Sequence, residues 1–162
     1  MGAQQRWGVA VVQAEHRALD DPAGVARTRG GQFRAGHLAA ALVQVDPVVR
    51  LHRIDMPLVR PFRTSFGTQE ARDVLLVEVV SDGVSGWAEC VAMEWPGYSY
   101  EYVDGAVDVL VEHLIPATTS DRLLDPHEIH GRLRQFQGHP MAKAALETAV
   151  LDAWLRQREQ SL

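Results

Sequence analysis

Between Asp73 and Ser81 the chain reads DVLLVEVVS, with Val74, Leu75, Leu76, Val77, Val79 and Val80 in near-continuous order. A short β-branched run of this kind is a strand buried on both faces, the middle strand of a small sheet. A middle strand needs a neighbour on each side, and the flanking sequence offers two. Upstream, VVRLHRIDM alternates: Val49, Leu51 and Arg53 fall on one face, Arg50, His52 and Ile54 on the other. Downstream, SDGVSG is a turn with Gly83 and Gly86 available for positive φ, and GWAECVA returns as a third strand. Residues 48–92 therefore predict a three-stranded antiparallel meander.

The rest of the chain is helical. Ser99 can cap a helix from Tyr100 to His113, with Glu101 favourable in its first turn and Pro116 after its end. DPHEIHGRLRQF has Asp125 as N-cap, Pro126 at the first helical position and Glu128 three residues after the cap, the capping-box arrangement, and Gly138 ends it. Pro140 opens PMAKAALETAVLDAWLRQREQ, the strongest helix. Ala142, Ala145, Leu146, Ala149 and Ala153 share one face, and side chains this small imply that something packs very close to them. Strands followed by helices make an α+β fold: a three-stranded antiparallel meander, then a helical bundle. Residues 1–45 differ. DDPAGVARTRGGQFRAGH has glycine pairs and scattered charge, which cannot bury enough surface to offset ordering entropy. A disordered extension over 1–45 and a folded domain over 46–162 are expected.

Charge and cysteine usage exclude some functions. With 16 basic and 21 acidic residues, the net charge of −5 argues against a nucleic-acid binder. The single cysteine, Cys90, permits no intrachain disulfide and fits a reducing compartment. The apolar stretch from Val9 to Val12 is shorter than a secretory core, and no run is long enough to span a bilayer, so no membrane partner is expected and the cytoplasm is the default location.

The candidates for chemistry are few. In HEIH, His127 and His130 are three apart rather than four, and Glu128 already caps, so a solvated helix is the better reading than a metal site. Glu147 and Asp152 are five apart and do not face one another, while Lys143 and Glu147 make an ordinary i,i+4 surface pair. Cys90 has no basic neighbour in sequence and reads as a small buried hydrophobe. Neither phosphate-loop nor nucleophile-elbow motifs occur. No catalytic residue and no metal ligand are assigned. Two loops remain: PFRTSFGT between the first two strands, with Phe62 and Phe66, and AMEWPGYSYE after the third, with Met93, Trp95 and Tyr98. Either these side chains fold back onto the domain's own core, or the two loops project together and line an apolar pocket.

The segments MPLVRPFRTSFGT, SGWAECVAM, GYSYEYVDGA and GHPMAKAALETAVLDAWL, in that order, resemble the N-terminal capping domain of the enolase superfamily (mandelate racemase/muconate lactonizing enzyme-like), and within it the o-succinylbenzoate synthase / N-acylamino acid racemase family. The resemblance runs from about Asp46 to Leu162. It implies a sheet-and-helix cap that closes two loops over a (β/α) barrel, with the positions of Phe62, Phe66 and Met93 against a small carboxylate substrate and Ser65 and Tyr98 as weaker candidates. It also implies abstraction of a proton α to a carboxylate by barrel lysines, assisted by a divalent metal, usually Mg2+.

The chain stops at Leu162, where that barrel should begin, and Lys143 matches no catalytic lysine. The expectation is therefore a chain that binds no cofactor itself and is inactive alone. It would be the cap of an enzyme whose barrel is supplied in cis or, in a split enzyme, in trans, or else a non-catalytic binding module. With its docking face uncovered it is expected to self-associate.

Overall fold

Strands β1 (Trp7–Val12), β2 (Val48–Thr64), β3 (Gly67–Ser81) and β4 (Val84–Cys90) form one antiparallel sheet in that order in the computed structural model, which describes residues 7–12, 47–65, 67–119 and 125–162. The meander of β2, β3 and β4 is the one the sequence predicts. Its fourth strand comes from the segment expected to be disordered. Trp7–Val12 pairs with β2 from Trp7 opposite Ile54 to Val12 opposite Val49. An edge strand presents a row of unpaired amides and carbonyls, and WGVAVV is apolar enough to take them up. The glycine-rich composition of its surroundings hides that short run. The other residues before 47, and with them the rest of the expected disorder, lie outside the described residues.

The two strands expected to stop at a Pro/Phe loop instead continue through it. β2 extends to Thr64 and β3 begins at Gly67. Pairing is lost between Pro57, opposite Ala71, and Phe62, opposite Gln69, so the residues from Leu58 to Pro61 bulge out. The prolines, which cannot donate to a ladder, sit at the margins of the bulge, where no ladder bond is required. The result is a long hairpin arm. At the other end, Asp82 and Gly83 have φ of 50° and 76° and make a two-residue hairpin turn.

Helices follow: α1 (Val103–Val109), a π-helical turn (Leu110–Leu114), α2 (Ile115–Thr119), α3 (Ile129–Leu133) and α4 (Pro140–Arg156). The helix expected to end at His113 runs through Pro116 to Thr119. The amide of Ile115 reaches back five residues to the carbonyl of Leu110, and this widened turn makes room for a proline within the helix. The expected Ser99 cap lies earlier: Ser99 Oγ accepts from the amide of Glu101 at 3.1 Å, and the helix itself starts at Val103. Asp125 does organise the start of α3. Its Oδ1 accepts from the amide of His127 at 2.7 Å and its carbonyl accepts from Glu128 and Ile129, while the Glu128 side chain turns to Arg132 rather than closing a capping box.

The core lies between the sheet and the helices. Leu51, Leu75 and Val77 meet Val103, Leu110, Leu114, Leu133 and Leu146, all buried. α4 packs against β4 and β3. The small-residue face is explained at Gly86, where a Cβ would stand 2.2 Å from the amide nitrogen of Ala153 and 2.3 Å from the carbonyl of Ala149. Strand and helix backbones touch there, so Gly86 serves packing and not a turn. Two buried carboxylates lock the same helix. Glu101 accepts from the amides of Met141 (2.9 Å) and Ala142 (3.2 Å) at the start of α4, against its positive dipole end. Asp152 accepts from the amide of Trp87 at 2.8 Å and from Arg156 Nε at 2.9 Å.

Candidate functional site

The hairpin arm and the segment 91–99 lie side by side beyond the core. The segment leaves β4 at Cys90, and Met93 forms an isolated bridge with Tyr102, its carbonyl accepting from Val103 at 2.9 Å. This anchors the loop on the first turn of α1 and turns its middle toward the arm. Gly97 donates to the carbonyl of Trp95 at 2.8 Å, and the indole folds over Gly97 so closely that a Cβ there would lie 2.4 Å from it.

Between arm and loop are two hollows that share a wall. The first, 360 Å³, is lined by Phe62, Thr64, Gly67, Thr68, Gln69, Met93, Trp95, Gly97 and Tyr98. The second, 690 Å³, is lined by Leu58, Val59, Arg60, Phe62, Gln69, Arg72, Val91, Met93, Tyr98, Ser99 and Met141. Phe62, Met93 and Tyr98 border both. Three of the five residues singled out from the sequence therefore converge. Ser65 is described and exposed in the hairpin turn and lines neither hollow, and Phe66 lies outside the described residues.

Of the two readings of these loops, the structure supports projection. Phe62, Trp95 and Tyr98 are 59%, 61% and 71% exposed. Thr68, Gln69 and Trp95 also line the first hollow. Trp95 carried the same apolar signal as its neighbours, whereas the polar pair became visible only with the β2–β3 register.

The carboxylates near the site lie on one side of it. A third hollow, 280 Å³, on the β3 side of the loop is bordered by Glu70, Asp73 and Glu94, and by Arg72, which it shares with the 690 Å³ hollow. No carboxylate lines the 690 Å³ hollow, where the side chains of Arg60 and Arg72 stand. Arg72 is tied to Glu89 at 3.2 Å.

The other candidates have structural partners. His130 Nδ1 lies 3.1 Å from Glu147, and His127 meets Trp154 edge-on with centroids 5.6 Å apart. The Lys143 ammonium donates to the carbonyl of Phe136, so the expected surface pair with Glu147 does not form. Cys90 is buried, and burial pushes its thiol pKa up, as suits a core side chain. Among the described residues no three His, Cys, Asp or Glu side chains converge on one point, so they do not provide a ligand set for the divalent metal the resemblance implies, and no step through it is assigned to them. No helix among the described residues is long and apolar enough to cross a membrane.

Similarity to known proteins falls on the same residues. The sequence model of the family described as "Mandelate racemase / muconate lactonizing enzyme, N-terminal domain" matches residues 47–162. An N-succinylamino acid racemase from Amycolatopsis sp. is 52% identical over 113 residues, covering 70% of this chain and 31% of the relative. An o-succinylbenzoate synthase from Geobacillus kaustophilus is 44% identical over 115 residues, covering 70% and 30%. A solved enolase-superfamily member from Listeria innocua superposes with a TM-score of 0.63 at 33% identity, covering 68% of this chain and 30% of that one. The chain thus spans about a third of the length of the curated relatives it matches.

Proposed function

Because the chain belongs to the mandelate racemase / muconate lactonizing enzyme N-terminal domain family, we propose that residues 47–162 are the capping, substrate-specificity half of an o-succinylbenzoate synthase / N-acylamino acid racemase-like enzyme. One observation carries the reading: Phe62 of the arm meets Met93 and Tyr98 of the 91–99 loop in an apolar wall beyond the core, with Phe62 and Tyr98 exposed and Met93 half-buried. A fold keeps such a wall for something that covers it. In this reading the arm and the 91–99 loop close on the non-reacting part of a small carboxylate substrate and exclude water. Proton abstraction α to the carboxylate falls to a barrel, in cis or in trans. Phe66 and Ser65 enter this reading only as what the resemblance implies, as further contacts of the same substrate.

The test is a chimera in which residues 47–162 replace the matching third of the Amycolatopsis racemase. Exchange of the α-proton of N-succinyl amino acids for deuterium, followed by NMR, is expected to persist. Phe62→Ala should lower kcat/KM about tenfold, the scale of one large apolar contact in a closed pocket. A folded chimera with no exchange would overturn the reading. Without a covering barrel, the isolated chain is expected to associate through Val59, Phe62, Trp95 and Tyr98, all exposed, and sedimentation should show species heavier than 17.9 kDa.

A further inference from the structure

We propose that Arg53 is a positioning residue that fixes the spacing of the hairpin arm and the 91–99 loop, by tying the root of the arm to the helix that anchors the loop. The proposal rests on the capping reading and adds what sets the width of its pocket.

Arg53 shares the helix-facing side of β2 with the buried Val49 and Leu51, at the point where the core ends and the arm begins. Its guanidinium makes two attachments. Across the ladder, Nε donates to both carboxylate oxygens of the half-buried Asp73, at 2.9 and 3.0 Å, and Nη2 donates to Asp73 Oδ2. Arg53 itself faces Leu75, so Asp73 is its diagonal neighbour on β3, and the pair clips the two strands of the arm together at their root. Away from the sheet, Nη1 donates to Asp104 Oδ1 at 2.6 Å, in the first turn of α1. The adjacent residue, Val103, donates its amide to the carbonyl of Met93, the bond that anchors the 91–99 loop. One side chain therefore ties the arm to the turn of helix that holds the loop.

The arm needs such a tie. Ladder pairing is lost between Pro57 and Phe62, so the outer arm has no continuous sheet to direct it. A strand rises about 3.3 Å per residue, so Phe62 stands at most about 30 Å beyond Arg53, and a tilt of about 10° at the root would carry its ring about 5 Å across the hollow. A planar guanidinium with fixed donor directions resists that tilt, where the point charge of an ammonium does not. Arg53 and Asp104 are both exposed, so the same bonds add little to the stability of the fold. Geometry and stability are thus separable by experiment.

Two measurements test this. Nitroxide labels are attached at Arg63→Cys on the arm and Glu94→Cys on the loop of the full chain, the buried Cys90 being left unlabelled. The labelled chain is diluted with unlabelled chain, and the separation is read by pulsed EPR. Arg53→Met and Asp104→Ala should each about double the width of the distance distribution, while Tm shifts by less than about 3 °C. Unchanged distributions, or broadening only in a variant that has lost its cooperative melt, overturn the proposal. In the chimera, Asp104→Ala should raise KM for an N-succinyl amino acid about fivefold and leave kcat within about twofold, since the arm contacts the non-reacting part of the substrate. An unchanged KM in an active chimera overturns the proposal and leaves the capping reading intact. A folded but inactive chimera together with broadened distances supports the clamp, and the capping reading alone fails.

Discussion

The contact between α4 and β4 and the wall between the arm and the 91–99 loop are both built from apolar and small residues, and they treat them in opposite ways. At the first, Gly86 lies against the backbone of Ala149 and Ala153, and Asp152 and Glu101 tie down neighbouring amides. At the second, Phe62, Trp95 and Tyr98 are more than half exposed, and the hollows they border are open. Burial in the first region stabilises the fold. Exposure in the second withholds the same apolar surface from folding and leaves it available for binding. Mutations should therefore divide by region: large losses of stability and unchanged specificity in one, the reverse in the other.

The sharpest separation is expected at Gly86. Gly86→Ala places a methyl group 2.2–2.3 Å from backbone atoms that cannot rotate away. Strand and helix must part, at a cost of about 3 kcal/mol or more. A thermal melt should show Tm lowered by roughly 10–15 °C, or no cooperative transition. A variant that melts like the wild type would mean that α4 does not sit on β4. Glu101→Ala is expected to cost about 2 kcal/mol in a denaturant titration, since it strands the amides of Met141 and Ala142 at a buried helix start. Glu101→Gln, which keeps an acceptor but loses the charge, should cost less.

Glu101 also shows where sequence stops being legible. Its position suggested the first turn of its own helix, and it caps another helix instead, 40 residues away in sequence. Periodicity reports which face of an element is buried and says nothing about which element lies opposite. The β3 run, the Asp82-Gly83 turn and the small-residue face of α4 were legible because each is a local pattern. Gly86 was misread as a turn glycine because the helix backbone that requires it is remote in sequence. Pro116 looked like a stop because the π-helical turn that accommodates it leaves no sequence mark. The site was legible in part. Phe62, Met93 and Tyr98 are large apolar groups in expected loops, whereas Gln69 and Arg60 join it only through the arm's register and bulge.

A smaller effect distinguishes the two faces of the sheet. Burial would raise the carboxyl pKa of Glu78, but hydrogen bonds from Ser85, His52 and Arg50 outweigh it and hold the group below its ordinary value of 4.5. A carboxylate depressed in the folded state contributes stability that is complete above the unfolded pKa and is lost as pH falls through the folded one. Stability should thus be flat near neutrality and decline as pH drops below about 4.5. Glu78→Gln should remove part of that decline and cost about 1 kcal/mol at pH 7. A decline of the same slope in the variant would assign acid sensitivity to other carboxylates.

The smallest effect is the one the comparison depends on most. Phe62→Ala and Trp95→Ala remove large rings, yet each ring is about 60% exposed and gives up little burial when truncated. Stability in denaturant should stay within about 0.5 kcal/mol of the wild type for Phe62→Ala. Trp95→Ala should do nearly the same, less whatever the indole contributes by lying over Gly97. Core aromatics cost about 3–5 kcal/mol on the same change, so the two outcomes are well separated. A core-sized loss at Phe62 would mean that the arm folds back on the domain, and the wall would then belong to the core. A near-zero loss, together with the fall in kcat/KM expected of the chimera, would show that the surface withheld from folding is the surface used in binding.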